Sequence, residues 1–239
     1  MENQEGIERL FFELASESRL GILRELQTKN LKMQEIARRL DLTATEAVRQ
    51  LKRLTEALLI QRQPEGSYAI TEYGKLVLQL SASLEFAFKH KEFLLTHDIW
   101  RLPYQLVNRI GELSQTNLMT DTMEGISKLE QVLGEAEQYV SGVGEGRFTE
   151  AMNTIADEQT RKGIEYKILS PLPPAKLQNL ENRTLSDVPA VFGLTEKEAV
   201  ICFRLTGGRA DYAGFFGKDP IFLSWVKDLF LYYWDKGKR

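Results

Sequence analysis

The chain of 239 residues contains one cysteine, Cys202, and two histidines, His90 and His97. A single thiol excludes an internal disulfide and fits a reducing compartment. A zinc site built from Cys and His would have to use all three of these residues, so neither a thiolate metal sensor nor any cofactor is expected. No run approaches the roughly eighteen apolar residues that a membrane-spanning helix requires. The opening MENQEGIERLFFEL lacks the zones of a signal peptide. The expectation is a cytoplasmic protein with no membrane partner. There is no internal repeat and no low-complexity segment.

What is present is ordinary in amount and uneven in distribution. Hydrophobic residues make up 43% and charged residues 27%, the balance of a globular protein long enough for two domains. Net charge is −3, yet from Ser18 to Gln63 bases outnumber acids ten to five. A local basic excess in an acidic chain is the footprint of a surface that faces phosphates.

That basic stretch has a legible order of elements. Ile7, Leu10, Phe11 and Leu14 repeat at helical spacing over about 6–15. Ser16 is placed to cap a second helix, in which Ile22, Leu23 and Leu26 form the apolar stripe. Met33, Ile36, Ala37 and Leu40 predict a third. After Asp41-Leu42, the pair Thr43 and Glu46 has capping-box spacing and opens a fourth. On it Ala47, Leu51, Leu54 and Leu58 fall in one arc, while Thr45, Arg49, Lys52, Arg53 and Glu56 take the opposite side. Leu59–Gln63 and Tyr68–Ile70 alternate as short strands around the turn Pro64-Glu65-Gly66-Ser67. This is the order of a winged helix-turn-helix, with residues 43–57 as the helix that enters the major groove.

The candidate DNA contacts are Thr45, Arg49, Lys52 and Arg53 on that helix, joined by Arg62 and Tyr68 at the wing. Arginine can bind guanine through two donors, and threonine can meet a base edge or a phosphate. Gln50 lies nearer the buried side, where it could read adenine or pack at the turn. Thr43 and Glu46 are read as caps.

Thr71 then caps a helix expected over 72–96. Tyr73, Val77, Leu80, Leu84, Ala87, Lys91 and Leu94 step by four and three, close to a coiled-coil seam. The stripe could pack on its own domain or join two copies into the homodimer that a palindrome reader needs. Beyond Pro103, helices and strands alternate. Helices are expected over 122–137, 147–162, 175–182 and 219–234, and strands over 138–143, 165–170, 190–193, 198–205 and 211–216. The fold class is therefore multi-domain α and α/β. Its parts are a DNA-binding domain over 1–71, a linker or dimerisation helix over 72–96, and an α/β effector-binding or assembly domain over 97–239.

The second domain offers weaker candidates. Gly142-Val143-Gly144-Glu145-Gly146-Arg147 follows a strand and precedes a helix, where backbone amides and Arg147 could hold an anion or simply turn the chain. Arg204, inside the apolar run VICFRL, needs an acidic partner, either an effector or an internal carboxylate. Trp100, with Tyr104, could line an effector pocket or pack the joint. Cys202 reads as core, and Tyr232, Tyr233 and Trp234 as packing or dimer contacts.

Residues 35–77, EIARRLDLTATEAVRQLKRLTEALLIQRQPEGSYAITEYGKLV, resemble the winged helix of ArsR-type regulators, and archaeal versions most of all. The end of the chain, FFGKDPIFLSWVKDLFLYYWDKG, resembles the close of the domain carried by archaeal methanogenesis and filament regulators. That resemblance rests on Gly217-Lys218-Asp219-Pro220 and on the run Asp228 to Trp234. It implies an archaeal transcription regulator whose second domain is a degenerate relative of phospholipase D and of TrmB-type sensor domains. ArsR metal sensors place cysteines on the DNA-reading helices, and none is present here. Phospholipase D enzymes need a His with a Lys two positions later, whereas Glu92 follows His90 and Ile99 follows His97 at that offset. A non-enzymatic regulator is expected, with double-stranded DNA as partner and a small-molecule effector or assembly as its control. The rival readings are a phosphodiesterase-like enzyme and a protein-interaction module that uses the winged helix as an adaptor.

Overall fold

A computed structural model describes residues 6–146, 149–172 and 179–238. The chain divides into two compact units, Met1–Ala82 and Ser83–Arg239. The division falls inside the helix expected to link two domains, not at either of its ends.

In the first unit, α1 (Ile7–Leu14) and α2 (Glu17–Thr28) are followed by β1 (Leu31–Lys32), α3 (Met33–Arg39) and α4 (Ala44–Glu56). Then come β2 (Ile60–Arg62), β3 (Ser67–Ile70) and the start of α5 (Glu72–Lys89). The local chemistry explains these boundaries. Ser16 Oγ accepts from the Arg19 amide at 3.4 Å, and Thr43 Oγ1 from the Glu46 amide at 3.2 Å, so each satisfies a free donor of a helix start. Between α3 and α4 the chain reverses through Asp41 at φ 52°, a left-handed position that Asp tolerates better than most residues. Gln63 and Ser67 close the β2–β3 hairpin, with Gly66 at φ 85°.

The three strands form an antiparallel sheet in the order β1-β3-β2. β1 escaped sequence reading because two residues carry no periodicity. Ile22, Leu23, Ile36, Leu51, Leu54 and Leu59 are all fully buried and form the centre of this unit's core. The start of α5 is held against the hairpin. Thr71 Oγ1 accepts from the Gly74 amide at 2.9 Å, and a Cβ on Gly74 would stand 2.2 Å from the Leu59 carbonyl oxygen. Only glycine fits there.

Two expected apolar stripes are not buried as a whole. On α1, Leu10 and Leu14 pack on the core while Ile7 and Phe11 are exposed. On α5, Val77 and Leu78 enter the core, whereas Tyr73, Leu76 and Leu80 face solvent.

In the second unit the expected single helix over 72–96 is interrupted at His90, giving α6 (Lys91–Thr96). The His90 ring packs 4.7 Å from Phe86 and 4.9 Å from Phe215, and its backbone leaves helical geometry at ψ 24°. There follow β4 (His97–Asp98), α7 (Tyr104–Val107), a 3-10 turn (Ile110–Leu113), β5 (Asn117–Met119) and α8 (Thr122–Gly134). Next are β6 (Tyr139–Val143), α9 (Glu150–Arg161), β7 (Glu165–Ser170) and β8 (Leu180–Thr184). β9 (Ala190–Thr195), β10 (Ala199–Leu205), β11 (Gly214–Gly217) and α10 (Pro220–Trp234) complete the unit.

The helix expected over 175–182 is corrected: residues 180–182 belong to strand β8, which pairs in parallel with β7, and 175–178 lie outside the described residues. The sheet runs β5-β11-β10-β9-β6-β7-β8, with β4 on β10, and is parallel from β6 through β7 to β8 and antiparallel elsewhere. Alternation along β10 assigns its two faces. Ala199, Ile201 and Phe203 join a core shared with Trp225 and Leu229 of α10. Val200 and Cys202 join Leu129 and Val132 of α8 and Met152 of α9. Helices thus cover both faces, the α/β layering that the sequence led us to expect. Among the described residues, no helix is long and apolar enough to cross a membrane.

Trp225 is fully buried, and its indole N–H donates to the Leu106 carbonyl at 3.1 Å. Trp225→Ala is expected to destabilise the second unit by about 3–5 kcal/mol. Urea unfolding followed by circular dichroism checks this.

Candidate nucleic-acid interface

α4 is amphipathic by construction, with Ala47, Leu51 and Leu54 fully buried. The opposite face carries Thr45, Arg49 and Lys52, at i, i+4 and i+7, all exposed. Val48 lies on this face too, 54% exposed, a residue that polar reasoning passed over. Lys52 Nζ stands 3.8 Å from Glu56, a loose surface pair. Arg62 at the end of β2 is exposed, and among the described residues neither it nor Arg49 is bonded within the chain. Tyr68 is half-buried against the core, opposite Arg62 in the hairpin register. Thr43 is a cap.

Two residues on the candidate list belong to a different structure. Gln50 is buried, and its Oε1 accepts from Arg19 Nη1 at 3.0 Å, so its amide is not offered to a base. Arg53 is held by Glu13 of α1, with Nε donating at 3.1 Å and Nη2 at 2.6 Å. The Phe12 ring lies 4.8 Å beneath its guanidinium. Arg19 completes the cluster. Its Nε lies 3.1 Å from the Glu13 carboxylate and donates to the Glu13 carbonyl at 2.7 Å, while Nη2 donates to the Phe12 carbonyl at 2.6 Å.

Glu13 and Arg19 were not singled out from the sequence. Their partners lie across the unit, and no local spacing betrays such a contact. The Arg53 hydrogen bond, together with the nearby positive charge of Arg19, holds the Glu13 carboxyl below its ordinary value despite burial. Arg53 is shifted upward by the same bond. The arrangement fixes the roll of α4 about its own axis and leaves Thr45, Arg49 and Lys52, with Val48 among them, pointing outward.

The three effector candidates of the second unit do not come together as a site. Trp100 is 74% exposed. Arg204 is spent internally: it donates to the Val188 carbonyl at 2.7 Å and the Gly208 carbonyl at 2.6 Å, and pairs with Glu145. Arg147 lies outside the described residues. The Gly144 amide already donates to the Leu169 carbonyl at 2.9 Å, so the glycine turn is closed by the chain itself. Burial pushes the Cys202 thiol well up, as for an inert core cysteine.

The family described as the HVO_A0261 N-terminal domain matches residues 7–91. That match spans all of α1 to α5. No curated protein matches the chain. Among solved structures, the chain is similar to TrmBL2, described as an archaeal chromatin protein with a novel mode of DNA binding, at 16% identity and a TM-score of 0.44. That alignment covers 97% of this chain and 96% of TrmBL2. It is also similar to NucT from Helicobacter pylori, at 10% identity and a TM-score of 0.38, over 51% of this chain and 92% of the other. A third likeness, to the dimethyltransferase RosA from Streptomyces davawensis, has 12% identity and a TM-score of 0.28 over 76% and 67% of the two chains.

Removing the charge at Glu13 would leave Arg19 buried without its carboxylate. Glu13→Gln is expected to cost about 3 kcal/mol at neutral pH, the lower end for breaking a buried pair. Because the folded carboxyl is depressed, its stabilisation is complete above the ordinary value of 4.5 and drains away as pH falls through the lower folded value. Acid unfolding of the first unit should show this component, and the Gln variant should lack it.

Proposed function

We propose that this chain is a sequence-specific DNA-binding transcription regulator of the winged helix-turn-helix type, placing α4 in the major groove and the β2–β3 hairpin on the flanking backbone. The carrying observation is the outward row Thr45, Arg49 and Lys52 on a helix whose roll is fixed by the Glu13–Arg19–Arg53 cluster, with Arg62 exposed on the neighbouring hairpin. In this reading Arg49 and Thr45 meet base edges, Lys52 and Arg62 meet phosphates, and exposed Val48 suits a thymine methyl group. Arg53 then acts first as an anchor for the helix. Its half-exposed guanidinium is already oriented should a phosphate come near.

The protein works as a homodimer in this proposal, so that two copies of α4 address two half-sites. Exposed Ile7 and Phe11 on α1, and Tyr73, Leu76 and Leu80 on α5, support this: large apolar side chains in such number on two helices suit contact with a second copy. The second unit supplies ligand control in a cytoplasmic protein, and its role is regulatory, not enzymatic.

Selection from random duplexes should return a preferred sequence. Arg49→Ala is expected to weaken binding to it by about 1–3 kcal/mol and to flatten preference at one position. Lys52→Ala should weaken all sequences alike and lower the slope of log affinity against log salt by about 1. Binding with neither sequence preference nor salt dependence would instead favour a protein-interaction module.

A further inference from the structure

Between α10 and the first half of strands β6 and β7, the second unit opens a cavity of about 280 Å³, just under the roughly 300 Å³ at which sites for drug-sized molecules begin. Strand register builds its floor. Tyr139, Ser141 and Val143 of β6 share the face that packs on α10, since Val143 joins the core with Trp225 and Leu229. Ser141 stands opposite Leu194 of β9 on one side and Lys167 of β7 on the other, and Tyr139 stands opposite Glu165. Two rows therefore cross the floor, Leu194-Ser141-Lys167 and Tyr139-Glu165, about 7 Å apart along the strands. Lys227 and the stacked rings of Phe230 and Trp234, with 5.2 Å between centroids, form the α10 wall.

Ser141 is only 8% exposed, and its hydroxyl makes no hydrogen bond within the described chain. That oxygen is not among the buried atoms closed off from solvent, so it opens into the cavity that Ser141 lines. Other buried hydroxyls of this sheet are spent on the chain: Ser170 Oγ donates to the Leu172 carbonyl, and Thr195 Oγ1 to the Glu198 carbonyl at 3.1 Å. A buried polar group left open in this way is suited to a bound molecule. Glu165, Lys167 and Lys227 are exposed, and among the described residues none of their side chains is paired or hydrogen-bonded. Glu165 and Lys167 share one face two residues apart, opposite in charge, and leave each other free. Both signs of charge and one directed hydroxyl thus stand unspent beside an apolar wall.

We propose that this cavity binds a free α-amino acid with an apolar side chain. The carboxylate takes the Ser141 row, accepting from the Ser141 hydroxyl and the Lys167 ammonium, with Lys227 reaching it from α10. The ammonium takes the neighbouring row, at the Glu165 carboxylate beside the Tyr139 ring. The apolar side chain rests on Leu194, Phe230 and Trp234. An acid without the amine would set its carboxylate near an unanswered Glu165, and an amine without the acid would face two lysines. Both are disfavoured, which sets the preference for a zwitterion. The site names the ligand class for the ligand control in the proposed function, and its regulatory role rests on that reading.

Isothermal titration of the full chain reads the site, with L-leucine as the probe. Controls are isocaproate, which lacks the ammonium, isoamylamine, which lacks the carboxylate, and glycine, which lacks the side chain. Leucine is expected to bind saturably and each control about tenfold more weakly. Lys167→Gln should lose about tenfold in leucine affinity and Ser141→Ala several-fold, with the far-UV spectrum unchanged. Glu165→Gln should weaken leucine by about tenfold yet leave isocaproate unaffected, a split that damage to the fold would not produce. The proposal is overturned if leucine gives no saturable heat, if any control binds as tightly, or if the three variants keep full affinity. DNA is absent from the titration, so its failure leaves the DNA-binding reading standing, and a chain that binds no DNA can still pass it.

Discussion

A carboxylate buried between two guanidinium groups sets the geometry of the first unit. Glu13 on α1 reaches Arg19 on α2 and Arg53 on α4, and Arg19 reaches on to Gln50. Three helices therefore share one charge cluster in a small unit with little core to spare. Apolar packing of Leu51 and Leu54 holds α4 to the unit but tolerates small rotations about its axis. Hydrogen bonds at 2.6–3.1 Å with defined direction do not. The row Thr45, Arg49 and Lys52 has a fixed outward bearing because the flank of the helix beside it is pinned by charge.

The second unit solves a different problem. Its mixed sheet needs cover on both faces, and β10 shows how this is met, sending alternate side chains to α10 and to α8 with α9. Two ion pairs lie inside it, Arg204 with Glu145 and Lys128 with Glu198 at 2.8 Å.

Much of this architecture was legible in residue order. Helical spacing marked α1 to α4, the caps Ser16 and Thr43 marked two of their starts, and strands were expected over most of β6, β7, β9 and β10. Failures had local causes. β1 is too short for periodicity, β8 stands partly in the stretch expected to be helical over 175–182, and the long helix breaks at a histidine with no proline or glycine to announce it. Within the candidate interface, Thr45, Arg49 and Lys52 could be placed by angle alone. Gln50 and Arg53 could not, since their orientation is set by Arg19 and Glu13, 31 and 40 residues away.

The sequence by itself determined which faces are apolar and where most elements begin and end, because periodicity and capping are properties of neighbours a few residues apart. It also determined the local basic excess and the absence of a thiolate site. Tertiary structure decided which polar residues are spent on the protein and which remain for a partner. That choice turns on contacts between distant segments, where a buried charge must find its counter-charge or cost several kcal/mol (about 3–5 when a partner is lost). Arg53 and Arg204 were claimed in this way; Arg49 and Arg62 were not.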